Sequence, residues 1–345
     1  MAAGTNICTQ AQARIAELGA PRRNNELWTF FPVAKIPVQD FDTRNDADPV
    51  FSANGGNADT DFGIASETDF AALLPIAKNA RPTVQDIVDG ANEMAMIKCN
   101  NDFGHTVLNI GKGARASLEI LDNKVIHEIA AERFDINVAE DADVEIFFAN
   151  PASDVPLRFR HFRITQAAGS TVRFSSIERG NGTTRVSIDC FLKGEGANFE
   201  IRTLNKLNDN SGSHHRLHIY HEAPRTTSTQ FSRNLLDGKS YASYDGSVIV
   251  NENCTGVNSS QLVNTILLGD ESSVSVKPIL KIYHDDVECT HGNTCGELDA
   301  EQMFYLVSRG IPKETAKSML MASFAKELFQ ALPDSPAKKR LLQQF

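Results

Sequence analysis

Nothing in this sequence approaches the run of about 18 apolar residues that a membrane-spanning helix requires. The opening residues lack the basic stretch and apolar core of an export signal, which points to a cytoplasmic protein. Cysteine is sparse: Cys8, Cys99, Cys190, Cys254, Cys289 and Cys295 follow no regular spacing, so reduced thiols are expected rather than a disulfide framework. The catalytic signatures sought are also missing. There is no Gly-x₄-Gly-Lys-Ser/Thr loop for nucleotide phosphates, no Gly-x-Ser-x-Gly elbow, no His-Glu-x-x-His and no Cys-x-x-Cys. Basic charge is short as well. The net charge is −10, which opposes nucleic-acid binding, and the one basic run, Lys338-Lys339-Arg340, reads as a solvated helix end.

The composition is that of a globular protein, 41% apolar and 23% charged, and 345 residues can hold two or three domains. Ala11, Ile15 and Leu18 recur at helical spacing before the stop signal Gly19 and Pro21. The only tryptophan follows, in Glu26-Leu27-Trp28-Thr29-Phe30-Phe31, and reads as a packing anchor. Residues 38–66 are rich in Asp, Asn and Gly and predict long loops. A short helix is expected over 68–79, with Phe70, Leu73, Leu74 and Ala77 on one side.

From about Asp102 to Val276 the apolar period changes to two, as in Val144/Ile146/Phe148 and Phe199/Ile201. The strands also repeat. Gly113-Ala114, Asp141-Ala142, Gly169-Ser170 and Gly196-Ala197 each open a similar unit, at intervals of about 28 residues. No segment between the strands is long enough for a helical crossover, so the pattern predicts stacked β units, a solenoid or a long sandwich. A strand starting near His214 places His214 and His218 on one face and His215 and His221 on the other.

Chemistry concentrates in Asp285-Asp286-Val287-Glu288-Cys289-Thr290-His291-Gly292-Asn293-Thr294-Cys295. Thiolate, imidazole and carboxylate are ligands for soft or borderline metals. A helical hairpin comes next. Asp299 and Gln302 form a capping box, Met303, Phe304 and Val307 supply an apolar side, Gly310 ends the first helix and Pro312 begins the second.

Asp-Asp-Val-x-Cys-x-His-Gly-x-Thr-x-Gly-x-Leu-Asp, followed by Gln302 to Ile311, resembles the C-terminal signature of the SufB/SufD family, scaffold subunits of the SUF machinery that builds iron–sulfur clusters. Gly19-x-Pro21 with Glu26-x-Trp28 resembles its N-terminal pattern. Gly292, where the SufB branch typically reads Glu, favours the SufD branch. The resemblance implies a mainly β fold: a right-handed parallel β-helix core flanked by an N-terminal helical region and a C-terminal helical domain. The expected boundaries are 1–90, 91–285 and 286–345. It further implies a non-catalytic scaffold that pairs with a SufB-like subunit through its β-helix end and docks a SufC-like ATPase through its last domain; an open solenoid edge would also let the isolated chain pair with itself. Phe304, Tyr305, Arg309, Met319 and Phe324 are the candidate docking residues. His291, and with it Cys289, would meet a transient iron–sulfur cluster at a composite interface. Cys295 departs from the family pattern and reads as a packed thiol. Two other readings compete: a β-helix enzyme acting on polysaccharides, which activity on acidic polysaccharides would reveal, and a SufB-like homodimeric scaffold, which four internal cluster ligands would reveal.

Overall fold

The computed structural model describes residues 7–22, 24–36, 62–78, 82–99, 103–122, 129–149, 156–180 and 182–344. Most of the loop expected over 38–66, up to residue 61, lies outside these. Successive strands alternate between two parallel sheets. The first sheet stacks β1 (Pro82–Ile87), β3 (Phe103–Ile110), β5 (Ile129–Val138), β7 (Leu157–Gln166), β9 (Thr183–Leu192), β11 (Gly212–His221), β13 (Tyr241–Val250) and β15 (Ser273–Ile282). The second stacks β2 (Asn92–Cys99), β4 (Arg115–Asp122), β6 (Asp143–Ala149), β8 (Thr171–Glu178), β10 (Asn198–Leu207), β12 (Thr227–Leu236), β14 (Val257–Leu267) and β16 (Val287–Gly296). Each turn of chain adds one strand to each sheet, which makes a parallel β-helix. The strands begin at Pro82, ahead of the first alternation legible in the sequence, and run on through the Cys289–Cys295 cluster.

The repeat seen in the sequence is the corner of this helix. Gly113, Asp141, Gly169, Gly196, Arg225 and Gly256 all have φ between 55° and 70°. Each donates its N–H to the turn above: Gly113 to Glu140 at 2.8 Å, Asp141 to Ala168 at 2.9 Å, and so on to Gly256, which donates to Asp286 at 2.8 Å. A left-handed residue at every turn keeps the corner's polar backbone paired. The next residue is small and buried (Ala114, Ala142, Ser170, Ala197), which lets the two sheets close over an interior of Ile, Val, Leu and Phe.

The outer face of the first sheet is covered by the N-terminal segment. Here α1 (Ile7–Leu18), α2 (Phe70–Ala77) and the turn around Trp28 pack on Ile129, Ala131, Leu157 and Phe159. Trp28 is 1% exposed and meets Phe31 and Phe159 edge-on, so the packing-anchor reading holds. α2 differs from the one-sided helix expected, because every one of its residues is buried. Its cap explains how. Asp69 caps Ala71 N with one carboxylate oxygen and receives Arg185 Nη1 at 2.7 Å with the other, so the helix is bolted to β9. Arg185 also stacks on Trp28, 4.1 Å from the ring, and Arg133 forks onto Asp135 at 2.8 and 2.9 Å.

The outer face of the second sheet carries α4 (Lys313–Gln330) and α5 (Pro336–Leu342), whose Leu328, Phe329 and Leu341 bury against Phe147, Ile177, Leu204 and Leu235. α5 includes the basic run. Lys338 donates to Leu332 O at 2.8 Å and Arg340 pairs with Glu119 on β4, so that run is partly structural. In the chain between β16 and α4, α3 (Ala300–Ser308) has no buried residue. No helix among the described residues is long and apolar enough to cross a membrane.

Candidate functional site

Among the described residues β15 and β16 pair on one side only, so the β-helix ends in two open strand edges. Unpaired N–H and C=O groups along such an edge are a template for another strand. On β16 the register sets Val287, Cys289, His291, Asn293 and Cys295 beyond Val257, Ser259, Gln261, Val263 and Thr265 of β14. Val257 and Val263 belong to interior clusters, so this whole row points inward, into the mouth of the lumen. Strand alternation therefore brings Cys289, His291 and Cys295 onto one face. His291 and Cys295 are exposed, while Cys289 is half-buried beside Val257 and Cys254, where burial raises its thiol pKa.

The two carboxylates of the motif go elsewhere. The Asp286 carboxylate accepts from Thr255 Oγ1, while its backbone carbonyl takes the corner hydrogen bond from Gly256 N, and Asp285 projects into solvent. Among the described residues no group of three or more His, Cys, Asp or Glu side chains is placed to hold a metal. Cys190, Cys254, Cys289 and Cys295 are free thiols.

Beneath the mouth the interior turns polar, a feature the sequence reading passed over. Behind His291 stand Gln261 and Gln230, with Tyr244 Oη donating to Gln230 Oε1 at 2.6 Å. Behind Cys289 stand Ser259 and Ser228, 2.7 Å apart, and then His221 Nε2 at 2.9 Å. Asn234 bridges Asn205 and Thr265 at 2.7 and 2.9 Å, below Cys295. The available signal was hydrophilic side chains at inward parity in consecutive repeats. His214 and His218 face outward and His215 and His221 inward, as alternation required. Burial lowers His215 and His221 to about 4, so both are neutral imidazoles.

The helical hairpin supplies the second surface. Asp299 caps α3 by accepting from Glu301 N and Gln302 N, and Gln302 Nε2 returns to Asp299 at 3.0 Å. Gly310, φ 85°, ends the helix as expected. The apolar side of α3 is left uncovered: Phe304 is 74% exposed, Tyr305 57% and Val307 42%. Phe304 and Tyr305, with Leu306 and Leu320, border an open groove of about 800 Å³. Arg309 lies 5.2 Å over the Tyr305 ring, and Met319 on α4 is exposed too. Phe324 faces the opposite way, half-buried, with Arg233 4.6 Å over its ring.

A family model described as the SufBD core domain of SUF-system iron–sulfur cluster assembly matches residues 93–324. The chain belongs to the SufB/SufD family. Its likeness is to SufD: it is 31% identical over 240 residues to the iron–sulfur cluster assembly protein SufD of Escherichia coli, an alignment covering 68% of this chain and 56% of that protein. A SufD of Plasmodium falciparum is 27% identical over 54% of this chain and 13% of its own length. A SufBD family protein of Synechocystis is 28% identical over 52% of this chain and 40% of its own. The chain thus spans little more than half the length of the Escherichia coli relative. The matched region takes in β16 and α3, so the open end and the uncovered helix both lie inside the family domain.

Proposed function

We propose that the chain is a non-catalytic scaffold subunit. Its open β-helix end pairs with a SufB-like subunit, and its uncovered hairpin docks a SufC-like ATPase. At the first interface His291, with Cys289 beside it, contributes to a composite site where a nascent iron–sulfur cluster is held in transit. The observation that carries the reading is the position of His291: exposed, facing the lumen mouth, on an edge strand whose outer side is unpaired. An incoming strand on that edge would set its own side chains directly beyond His291 and Cys289. A neutral imidazole ligates iron beside sulfur in other proteins, and the row has room for partner ligands to complete four. The cluster is cargo, so a site incomplete in one chain suits release as well as assembly.

The ATPase surface rests on Phe304, Tyr305, Arg309 and Met319. Exposed aromatic side chains beside an Arg are the composition of interface anchors. Phe324 holds α4 to the second sheet instead. The same open edge supports self-pairing when no SufB-like chain is present.

Anaerobic co-expression with SufB-like and SufC-like subunits, followed by iron and sulfide analysis, tests the reading. The ternary complex should form with wild type and with His291→Ala, and cluster content should fall only in the variant. Unchanged cluster content would remove His291 from the assembly site, and failure of the wild type to form a complex would remove the scaffold reading.

A further inference from the structure

The second sheet repeats one backbone rule from strand to strand. Each strand donates to the residue before its register partner in the strand below: Asn198 N to Ser170 O at 2.8 Å, Thr227 N to Ala197 O at 3.0 Å and Asn258 N to Thr226 O at 3.1 Å. Even-numbered residues of β14 therefore face β12, and odd-numbered ones face β16. On β16 the residues that face back to β14 are Glu288, Thr290, Gly292, Thr294 and Gly296. Those left facing the open edge with both N–H and C=O are Val287, Cys289, His291, Asn293 and Cys295. β15 differs. Ser273 N and Tyr283 N donate to β13 carbonyls at 3.1 and 3.0 Å, so its open edge consists of Val274, Val276, Pro278, Leu280 and Ile282. Pro278, at the centre, has no N–H to give. The complete edge is that of β16, and its middle residue is His291.

We propose that two copies of this chain pair antiparallel through β16 about a twofold axis at His291, and that the two imidazoles brought together there bind one divalent metal ion. Identical edges that meet about a twofold axis make a closed, isologous contact. Only the register centred on His291 joins all five edge residues of each strand, every pair exchanging two hydrogen bonds, and a slip to either side leaves four pairs. On the lumen face this register sets Val287 opposite Cys295 of the second copy and Cys289 opposite its Asn293. On the outer face Glu288 meets Thr294 and Thr290 meets Gly292, so no like charges stand opposite within the ladder. Asp285 and Glu297 face each other only beyond its ends. The two His291 Cα atoms come to about 5.5 Å, with both side chains on the lumen face, close enough for their nitrogens to share an ion at about 2.0–2.1 Å. The two Cys289 residues lie four positions apart along the ladder, about 14 Å, and cannot share that ion as well. The site is thus two imidazoles with its remaining positions open. The inference rests on the reading of β16 as the pairing strand, and it makes a second copy and a SufB-like chain rivals for one edge.

The test uses the isolated full-length chain. Val287→Cys, oxidised with diamide, should give a disulfide-linked dimer on a non-reducing gel, and peptide mass spectrometry should place the link between position 287 and Cys295 of the other copy. Asn293→Cys is the second variant and should link to Cys289. Wild type should give no Cys289–Cys295 link between copies, which is the product of the ladder slipped by one step. With the chain kept reduced, Zn²⁺ should tighten the dimer roughly tenfold in sedimentation equilibrium. His291→Ala should still dimerise and lose that response, and Cys289→Ser should keep it. No linked dimer from either variant, a Cys289–Cys295 link in wild type, no zinc response, or a zinc response that survives in His291→Ala would each overturn the proposal. No SufB-like or SufC-like subunit is present, so a failed dimer and a failed co-expressed complex are separate results.

Discussion

His291 and Asp69 mark opposite extremes for a single side chain here. His291 is exposed at an edge, so His291→Ala should move the folding free energy by no more than about 0.5 kcal/mol in urea denaturation. Asp69 is fully buried, caps α2 and neutralises Arg185, with Arg216 3.8 Å off. Asp69→Ala leaves those guanidiniums without their counter-charge and should cost about 3–5 kcal/mol by the same measurement. A loss below 1 kcal/mol would mean that water takes the place of the carboxylate. The two residues were unequally legible. His291 stood out because its neighbours in sequence form a motif. Asp69 did not, because its arginine partners lie 116 or more positions away and nothing local distinguishes a buried aspartate from a solvated one. The same holds for Arg133, Arg158, Arg160 and Arg185, all fully buried side chains of a type usually found at the surface.

Among the elements, α3 and α4 divide one hairpin between two tasks. α4 faces inward through Leu328 and Phe329, both at 0% exposure, and Phe329→Ala should cost about 3–5 kcal/mol in thermal or chemical unfolding. α3 faces outward, so Phe304→Ser should leave the unfolding midpoint of the isolated chain in place. It should weaken capture of the SufC-like ATPase at least tenfold, or about 1.4 kcal/mol. A destabilised Phe304→Ser chain would show instead that the groove closes on itself. Local signals announced both helices, the Asp299 cap and the glycine stop, with Pro312 standing just ahead of the second helix rather than inside its first turn. They could not tell which apolar stripe was covered, and Phe304 and Phe324 were read alike although one is solvent-facing and the other packed beneath Arg233. The β repeat was legible for a similar reason, since each turn obeys the same corner chemistry. β1 and β2 escaped notice because Val84, Met94 and Met96 stand on the outward parity of their strands, exposed, and so blur the apolar–polar alternation that Ile87 and Ile97 would otherwise announce.

For the molecule as a whole, acid should be the weak point. Burial lowers His214 to about 3 and His215, His218 and His221 to about 4. Unfolded, these imidazoles take up protons below about pH 6.5, while the folded chain keeps them neutral. Stability present at pH 7 is therefore lost as pH falls from about 6.5 toward 4, at about 1.4 kcal/mol per pH unit for each histidine. Below about pH 4 the carboxylates extend the loss. Burial alone would raise Asp69 and Asp135, but Arg185 and Arg133 overcome it and hold them under the usual carboxylate range. Their contribution is present above about pH 4 and disappears as pH drops further. Urea midpoints should fall steadily between pH 7.5 and 4, and a flat profile over that span would contradict neutral buried imidazoles.

The fastenings of the N-terminal segment also set a timetable. Leu27 O waits for Arg185, Lys35 for Thr183, and Glu26 for Lys277, partners 158, 148 and 251 positions later in the chain. During synthesis these residues emerge well before the partners that seat them. Until the later turns of the β-helix exist, Trp28 and Phe31 have only part of the surface that shelters them. Contacts of such long sequence separation make folding slow, and they leave apolar side chains exposed to chance encounters in the meantime. A chain halted before β9 would carry a tryptophan without its arginine, and the ribosome-bound intermediate is where a chaperone would find it.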